Sequence, residues 1–340
     1  MPLDEKLRAQ LQRLPAGLRP KLAREERIVL IDNPVSGGGS YSSYAEYAHQ
    51  LYEFLGYEVR LWRTESAGHA TELAHRAADH GATLVIVCSG DGGVRETVAG
   101  LVSVPRERRP KLSVIPKGTA NVLAKTLGLQ LGPFPDFIHA CFKQLYWARS
   151  REIDVGYLND QAFACFAGFG FDATLIENVP PQDKRLFKSW AFLASGLRTF
   201  FGWDPDQLRF QPYEPPKMQV RALDSEAQTI DTHAYFVAVG NVRDYGSRLF
   251  PFMQNARLDD GLLDVILVKT RDRMELLNIG TQVVARTHLR NPNVMAFQTR
   301  DEITVEAQGA PVPMHVDCEL LDRARKSRIR IEARALVAVH

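Results

Sequence analysis

At 340 residues, 45% of them hydrophobic and 24% charged, the chain has globular composition and length enough for two cores of ordinary domain size. A formal net charge of +2 gives no reason to invoke nucleic acid, and no apolar run reaches the ~18 residues of a membrane-crossing helix. The start, Met1-Pro2-Leu3-Asp4-Glu5-Lys6, lacks the charged-then-apolar order of a secretory signal, and Cys88, Cys141, Cys165 and Cys318 lie far apart without a CxxC. Buried thiols in a reducing cytoplasm, and no structural zinc, are expected.

Residues 1–26 read as a charged, partly helical leader. A first strand, 27–32, ends in Asn33-Pro34-Val35-Ser36-Gly37-Gly38-Gly39-Ser40. Pro34 disfavours helix or central strand, the glycines permit a tight path, and Asn33 and Ser36 offer polar groups to a ligand. A helix is expected from near Tyr41, capped by Ser40 and stopped by Gly56. A second strand (57–62), the turn from Arg63 through Thr64 to His69, and a helix (70–79) follow. The β-rich run Leu84-Val85-Ile86-Val87-Cys88 then leads into Ser89-Gly90-Asp91-Gly92-Gly93, with a helix expected over 94–101. Strand, glycine loop and helix in that order present backbone N–H groups to a phosphate. Asp91 at such a strand end suits Mg²⁺, a hard cation that prefers carboxylate oxygen. A fourth strand, 112–115, ends in Pro116-Lys117-Gly118-Thr119-Ala120-Asn121 before a short helix stopped by Gly128. Repeated strand–helix alternation predicts a parallel sheet, and ligands of such sheets sit beyond the carboxyl ends of the strands, where all these turns fall.

From about residue 150 the pattern changes. Residues 153–163 read as a hairpin turning at Asn159-Asp160, and 235–239, 262–268, 302–307 and 328–333 read as further strands. Their spacing predicts an antiparallel sandwich or open barrel. A helix over 185–201, with Leu186, Phe187, Trp190, Leu193 and Leu197 on a broad apolar surface, covers that second core or walls a lipid cleft.

Seven segments, in order, resemble the diacylglycerol kinase catalytic-domain family, which also includes sphingoid-base kinases and bacterial lipid kinases. They are Asn33-Pro34-Val35-Ser36-Gly37, Thr64 to His69, Ser89-Gly90-Asp91-Gly92-Gly93, Pro116 to Asn121, Gly168-Phe169-Gly170-Phe171-Asp172-Ala173, Asp260-Gly261-Leu262-Leu263-Asp264-Val265, and Asp317-Cys318-Glu319. The resemblance implies an α/β nucleotide-binding domain over 27–145, a mostly antiparallel β lipid-substrate domain over 150–335, and ATP with Mg²⁺ in a cleft that sets Asp91 and Asp317 on facing walls. It implies phosphorylation of a lipid hydroxyl, diacylglycerol or a related lipid alcohol. Asn33, Ser36, Gly37, Thr64, Gly90, Gly92, Gly118 and Thr119 would then line the nucleotide as donors to phosphate oxygens, with Asn121 positioning nucleotide or metal. Asp91 would act through the catalytic Mg²⁺, Asp317 would be the base for the substrate hydroxyl, and Glu319 would orient that base or contribute to the metal site. Asp260 and Asp264 would hold a second Mg²⁺.

Three positions depart from the family pattern. Gly93 stands for Thr, Ser89 for Gly, and Cys318 for the Gly between the two acids. A cysteine would be strained if residue 318 needs positive φ. These departures leave open a catalytically weak lipid-binding or regulatory protein. An NAD kinase-like enzyme, with its comparable Gly-Asp-Gly loop, is the other alternative. The expected setting is the cytoplasm with transient contact at the inner membrane surface. No nucleic-acid partner is expected, and a homo-oligomer is compatible with the sequence.

Overall fold

The computed structural model describes residues 22–23, 25–39, 43–129, 141, 145, 148–177, 203–204, 209–210, 214–244 and 251–340. Most of the expected leader and the aromatic helix over 185–201 lie outside the described residues, and the helix expected from near Tyr41 with Ser40 as its cap instead starts at Tyr44, with Ser43 in the cap position. The chain forms two compact units, residues 1–152 with Leu336–His340, and Ile153–Ala335. Among the described residues no helix is long and apolar enough to cross a membrane.

The first unit alternates strand and helix: β1 (Arg27–Asp32), α1 (Tyr44–Phe54), β2 (Glu58–Arg63), α2 (His69–Asp79), β3 (Leu84–Ser89), α3 (Asp91–Val102), β4 (Lys111–Pro116) and α4 (Val122–Thr126). The strands pair in parallel in the order β4-β3-β1-β2, with Ile31 beside both Trp62 and Val87. Ile28, Leu30, Leu84, Ile86 and Cys88 form one apolar cluster with Tyr44, Ala48 and Leu51 of α1. The intervening Val29, Ile31, Val85 and Val87 are buried as well, as strand alternation requires when both faces of a sheet are covered.

One boundary differs from the expectation in a way that matters. Helix α3 begins at Asp91, not at Val94, so Gly92 and Gly93 wind into its first turn instead of forming a loop before it. Gly90, at the helix cap with φ −83°, is the turning residue, and the carboxylate of Asp91 favours the positive end of the helix dipole.

The second unit is a two-sheet sandwich. The hairpin β5 (Ser150–Leu158) and β6 (Gln161–Phe163) turns at Asn159-Asp160, with Asn159 at φ +53°. Next come β7 (Phe166–Gly170) and α5 (Phe171–Glu177), then a short pair, β8 (Trp203–Asp204) with β9 (Arg209–Phe210). The remaining elements are β10 (Met218–Leu223), β11 (Thr229–Ala234), β12 (Phe236–Gly240), β13 (Leu263–Val268), α6 (Arg273–Val284), β14 (Val294–Thr299), β15 (Ile303–Ala307), β16 (Val312–Val316), β17 (Glu319–Ala324) and β18 (Lys326–Val339). One antiparallel sheet runs β14-β13-β12-β7-β16-β17, and the other carries β11-β10-β15 and the start of β18. Phe169, Val237, Val239 and Val265 of the first meet Met218, Val220, Ile303, Val305 and Ile329 of the second in one core. Helix α6, which the sequence reading did not name, is capped by Asp272, whose carboxylate accepts the Glu275 N–H at 2.8 Å. The chain end returns to the first unit: Ala338 pairs in parallel with Leu112, and Ser113 Oγ donates to the Val339 carbonyl at 2.8 Å.

Candidate active site

All four parallel strands of the first unit end on the same edge, and the polar turns follow from that. Asn33 N donates to the Cys88 carbonyl (3.0 Å), Thr64 N to that of Asp32 (2.9 Å), and Lys117 N to that of Ser89 (2.8 Å). These bonds continue the sheet ladder one step into the turns, which brings Asn33, Thr64, Gly90 and Gly118 to one edge. The two glycine turns touch. A Cβ on Gly118 would fall 2.6 Å from the Gly90 Cα, and one on Gly90 would fall 3.2 Å from the Gly118 Cα and 3.4 Å from Ser36 Oγ. Only glycine fits at 118, because the obstructing atom is backbone. Gly37 takes φ +67° in the turn after β1, and Thr119 is exposed at this edge.

Asp91 has a structural task here. Its Oδ2 accepts the Asn121 N–H at 2.8 Å and its Oδ1 the Val122 N–H at 2.6 Å, so it caps α4 from another element. Burial pushes its pKa up, and these backbone donors work against that rise. Its own backbone N–H is a third donor, and the lone pairs that remain on the carboxylate suit a Mg²⁺. Asn121 sits at φ +47° and closes its own turn, its Oδ1 accepting the Gly118 N–H (2.9 Å) and its Nδ2 donating to the Gly118 carbonyl (2.7 Å). His69 Nδ1 accepts the Glu65 N–H at 3.1 Å, a local turn contact.

Two features of this edge escaped the sequence reading. Lys117, in the variable position of Pro-x-Gly-Thr, is fully buried, and its Nζ donates to Asp32 Oδ1 at 2.7 Å and to the Asn33 carbonyl at 3.1 Å. The pair ties the turn after β1 to the turn after β4. Burial raises the Asp32 pKa, and Lys117 opposes that rise. The available signal was a lysine between an apolar strand and Gly118, opposite an aspartate that closes another apolar strand. The second feature is Glu96, whose carboxylate accepts the Gly68 N–H at 2.8 Å and the Ala70 N–H at 3.2 Å, fixing the Thr64–His69 turn.

The departures at 89 and 93 are sterically one exchange. A Cβ on Gly93 would lie 2.2 Å from Ser89 Oγ and 2.8 Å from Ser89 Cβ. The Ser89 side chain, 2% exposed, fills the space that a side chain at 93 would take.

In the second unit, Asp317 and Cys318 are the two central residues of the tight β16–β17 hairpin, at φ +46° and +67°. Two left-handed residues in a two-residue turn explain why Asp-Gly suits this place and why Cys318 is strained. The Asp317 carboxylate is nearly buried and accepts three backbone N–H groups, from Ala164 (2.9 Å), Cys165 (3.0 Å) and Phe166 (2.8 Å). Glu319, half-buried, opens β17 opposite Val316. Beside this hairpin, His315 Nε2 lies 2.8 Å from Asp172 Oδ2, both buried.

Asp260 and Asp264 flank the Gly261 turn (φ +72°). The buried Asp154 spans it, accepting the Gly261 N–H (2.7 Å) and the Arg334 N–H (2.6 Å). Burial lifts the Asp264 pKa to about 6; the Gln298 amide opposes the rise and the Asp260 charge adds to it. A cation would relieve that repulsion, but among the described residues no three His, Cys, Asp or Glu side chains converge as a metal group. A divalent ion beside Asp260 and Asp264 would complete its shell with backbone carbonyls and water.

Known proteins match both units. Residues 27–158 match the diacylglycerol kinase catalytic domain, and residues 166–338 the YegS C-terminal NAD kinase beta sandwich-like domain. A diacylglycerol kinase of Bacillus subtilis (strain 168) is 28% identical over 270 residues, covering 79% of this chain and 82% of that protein. A protein of Chromohalobacter salexigens named "Probable lipid kinase YegS-like" is 31% identical over 216 residues, covering 63% of each. A crystal structure of a diacylglycerol kinase from Bacillus anthracis str. Sterne shares the fold, with a TM-score of 0.68 at 22% identity over 93% of this chain and 97% of that one. With a nucleotide-type α/β unit joined to the matched β sandwich, this chain belongs to the diacylglycerol kinase catalytic-domain family of lipid kinases, in its YegS-like form.

Proposed function

We propose that the protein transfers the γ-phosphoryl group of ATP to the hydroxyl of a lipid alcohol, with diacylglycerol as the preferred class. The observation that carries this reading is the contact of the two glycine turns at Gly90 and Gly118, with Asp91 bridging to the start of α4. ATP with Mg²⁺ supplies the phosphoryl group and the charge that offsets its phosphates. Backbone N–H groups and the side chains of Asn33, Ser36, Thr64 and Thr119 bind and orient the phosphates, and Asp91 holds the metal. Gly37, Gly90, Gly92 and Gly118 allow the backbone its close approach. Asp317 accepts the proton of the acceptor hydroxyl, and its three backbone donors fix the carboxylate's orientation. Glu319 assists that orientation, and Asp260 with Asp264 holds a second, structural cation.

The test offers ATP and Mg²⁺ with diacylglycerol, sphingosine, other lipid alcohols and NAD in parallel. Phosphorylated lipid alcohol is expected, and product on NAD alone refutes the assignment. Asp317→Asn, shown to be folded, should lose at least a hundredfold in kcat with ATP and lipid binding retained. Near-normal turnover returns Asp317 to a purely structural role in its hairpin.

A further inference from the structure

Helix α6 carries apolar side chains on two sides; one packs into the core, and on the other Leu277 is half-buried while Met274 and Val284 are exposed. At about 100° per residue, Leu276, Ile279 and Val283 share one side, where Ile279 and Val283 are buried against the cluster of Ala238, Phe252, Ile266 and Val294. Met274, Leu277, Thr281 and Val284 fall within an arc of roughly 80° on the opposite side. Met274 is 73% exposed and Val284 57%, with Leu289 exposed just beyond the helix end. Two large side chains left in water on one stripe contribute nothing to the fold.

The charges around this stripe are lopsided. Between residues 269 and 290 stand five cations, Lys269, Arg271, Arg273, Arg286 and Arg290, and two carboxylates, Asp272 and Glu275. Both carboxylates are occupied within the fold. Asp272 caps the helix, and Glu275 accepts from Asn291 (2.6 Å) and Asn278 (3.2 Å). None of the five cations has an ion-pair partner among the described residues. Lys269 and Arg271 precede the helix, and Arg286 and Arg290 follow it, so positive charge flanks the apolar stripe at both ends.

We infer that this face of α6 docks on an anionic lipid bilayer, with Met274, Leu277 and Val284 entering the headgroup–acyl boundary and the flanking cations meeting acidic headgroups. An exposed apolar stripe with cations at its margins is the chemistry of an interfacial helix. The inference rests on the lipid-kinase reading for its choice of occupant, since a lipid substrate is presented in a bilayer.

The experiment is co-sedimentation of the full chain with phosphatidylcholine vesicles, with and without phosphatidylglycerol. Partition should need phosphatidylglycerol and weaken with salt. Each arginine near such a surface contributes about fivefold to partition. The triple variant Arg271→Ser, Arg286→Ser, Arg290→Ser should therefore lose about a hundredfold, and Met274→Ser with Val284→Ser should lose partition even at low salt. Exposed positions of this kind should leave the melting temperature unchanged, so loss of binding is not loss of fold. Equal binding to neutral vesicles, or unaltered partition of both variants, overturns the inference. So does a concentration-dependent dimer that these variants abolish, which makes a second copy the occupant. Phosphorylation of a water-soluble short-chain lipid alcohol separates the two readings. Its absence in the unmodified protein refutes the kinase assignment, while salt-sensitive partition through α6 still upholds the docking face.

Discussion

The steric exchange between Ser89 and Gly93 makes a quantitative prediction. Gly93→Ala puts a methyl group 2.2 Å from Ser89 Oγ and 2.8 Å from Ser89 Cβ. Rotating the hydroxyl relieves the first contact but not the second, because Cβ is fixed to the backbone. Overpacking of this kind costs about 1–3 kcal/mol. Against it stands the gain of replacing glycine inside a helix, up to about 1 kcal/mol. With Ser89 present, the substitution should be neutral to destabilising by about 2 kcal/mol. In a Ser89→Gly background the clash is gone and only the helix gain remains, so Gly93→Ala should stabilise. Ser89 Oγ is buried without a hydrogen-bond partner among the described residues, so its removal forfeits no such bond. Urea unfolding of the four proteins gives the coupling, expected at about 1–3 kcal/mol with a change of sign across the cycle. Additivity within about 0.5 kcal/mol would refute the shared volume and leave the two departures as unrelated substitutions.

Cys318→Gly should stabilise the protein by up to about 1 kcal/mol, since φ +67° costs a non-glycine residue ~1–2 kcal/mol, less the entropy that glycine adds to the unfolded chain; calorimetry reads the small rise in Tm. Lys117→Met leaves the buried Asp32, among the described residues, with only the more distant Arg63 Nε at 3.9 Å and should cost about 3 kcal/mol, and adding Asp32→Asn should recover much of it, measured by urea midpoint. The buried His288, stacked on Phe252 with Nε2 bonded to the Phe252 carbonyl at 2.8 Å, has its pKa lowered by burial. The unfolded chain takes up this proton first, so the contribution is intact above about pH 6.5 and is lost as the pH falls below it. His288→Asn should flatten that part of the acid limb in urea titrations, and an unchanged slope would show that another group governs it.

Sequence reading went far where the physics is local or periodic. The runs Ile28–Ile31 and Leu84–Cys88, punctuated by glycine and proline turns, determined a parallel sheet with its polar turns at one edge, and the Asn159-Asp160 turn determined a hairpin. The seven ordered segments determined the family. The start of α3 was misplaced because two consecutive glycines look like loop. In the structure they are the second and third residues of α3. What only the tertiary structure decided is which atoms the motif residues spend on the fold. Lys117 meets Asp32 across 85 residues, Asp91 caps α4 across 31, and Asp317 gathers three N–H groups from more than 150 residues away. Strand register sets each of these meetings, and register is a property of paired segments: a one-residue slip turns every side chain to the other face, and nothing within either segment alone records its partner.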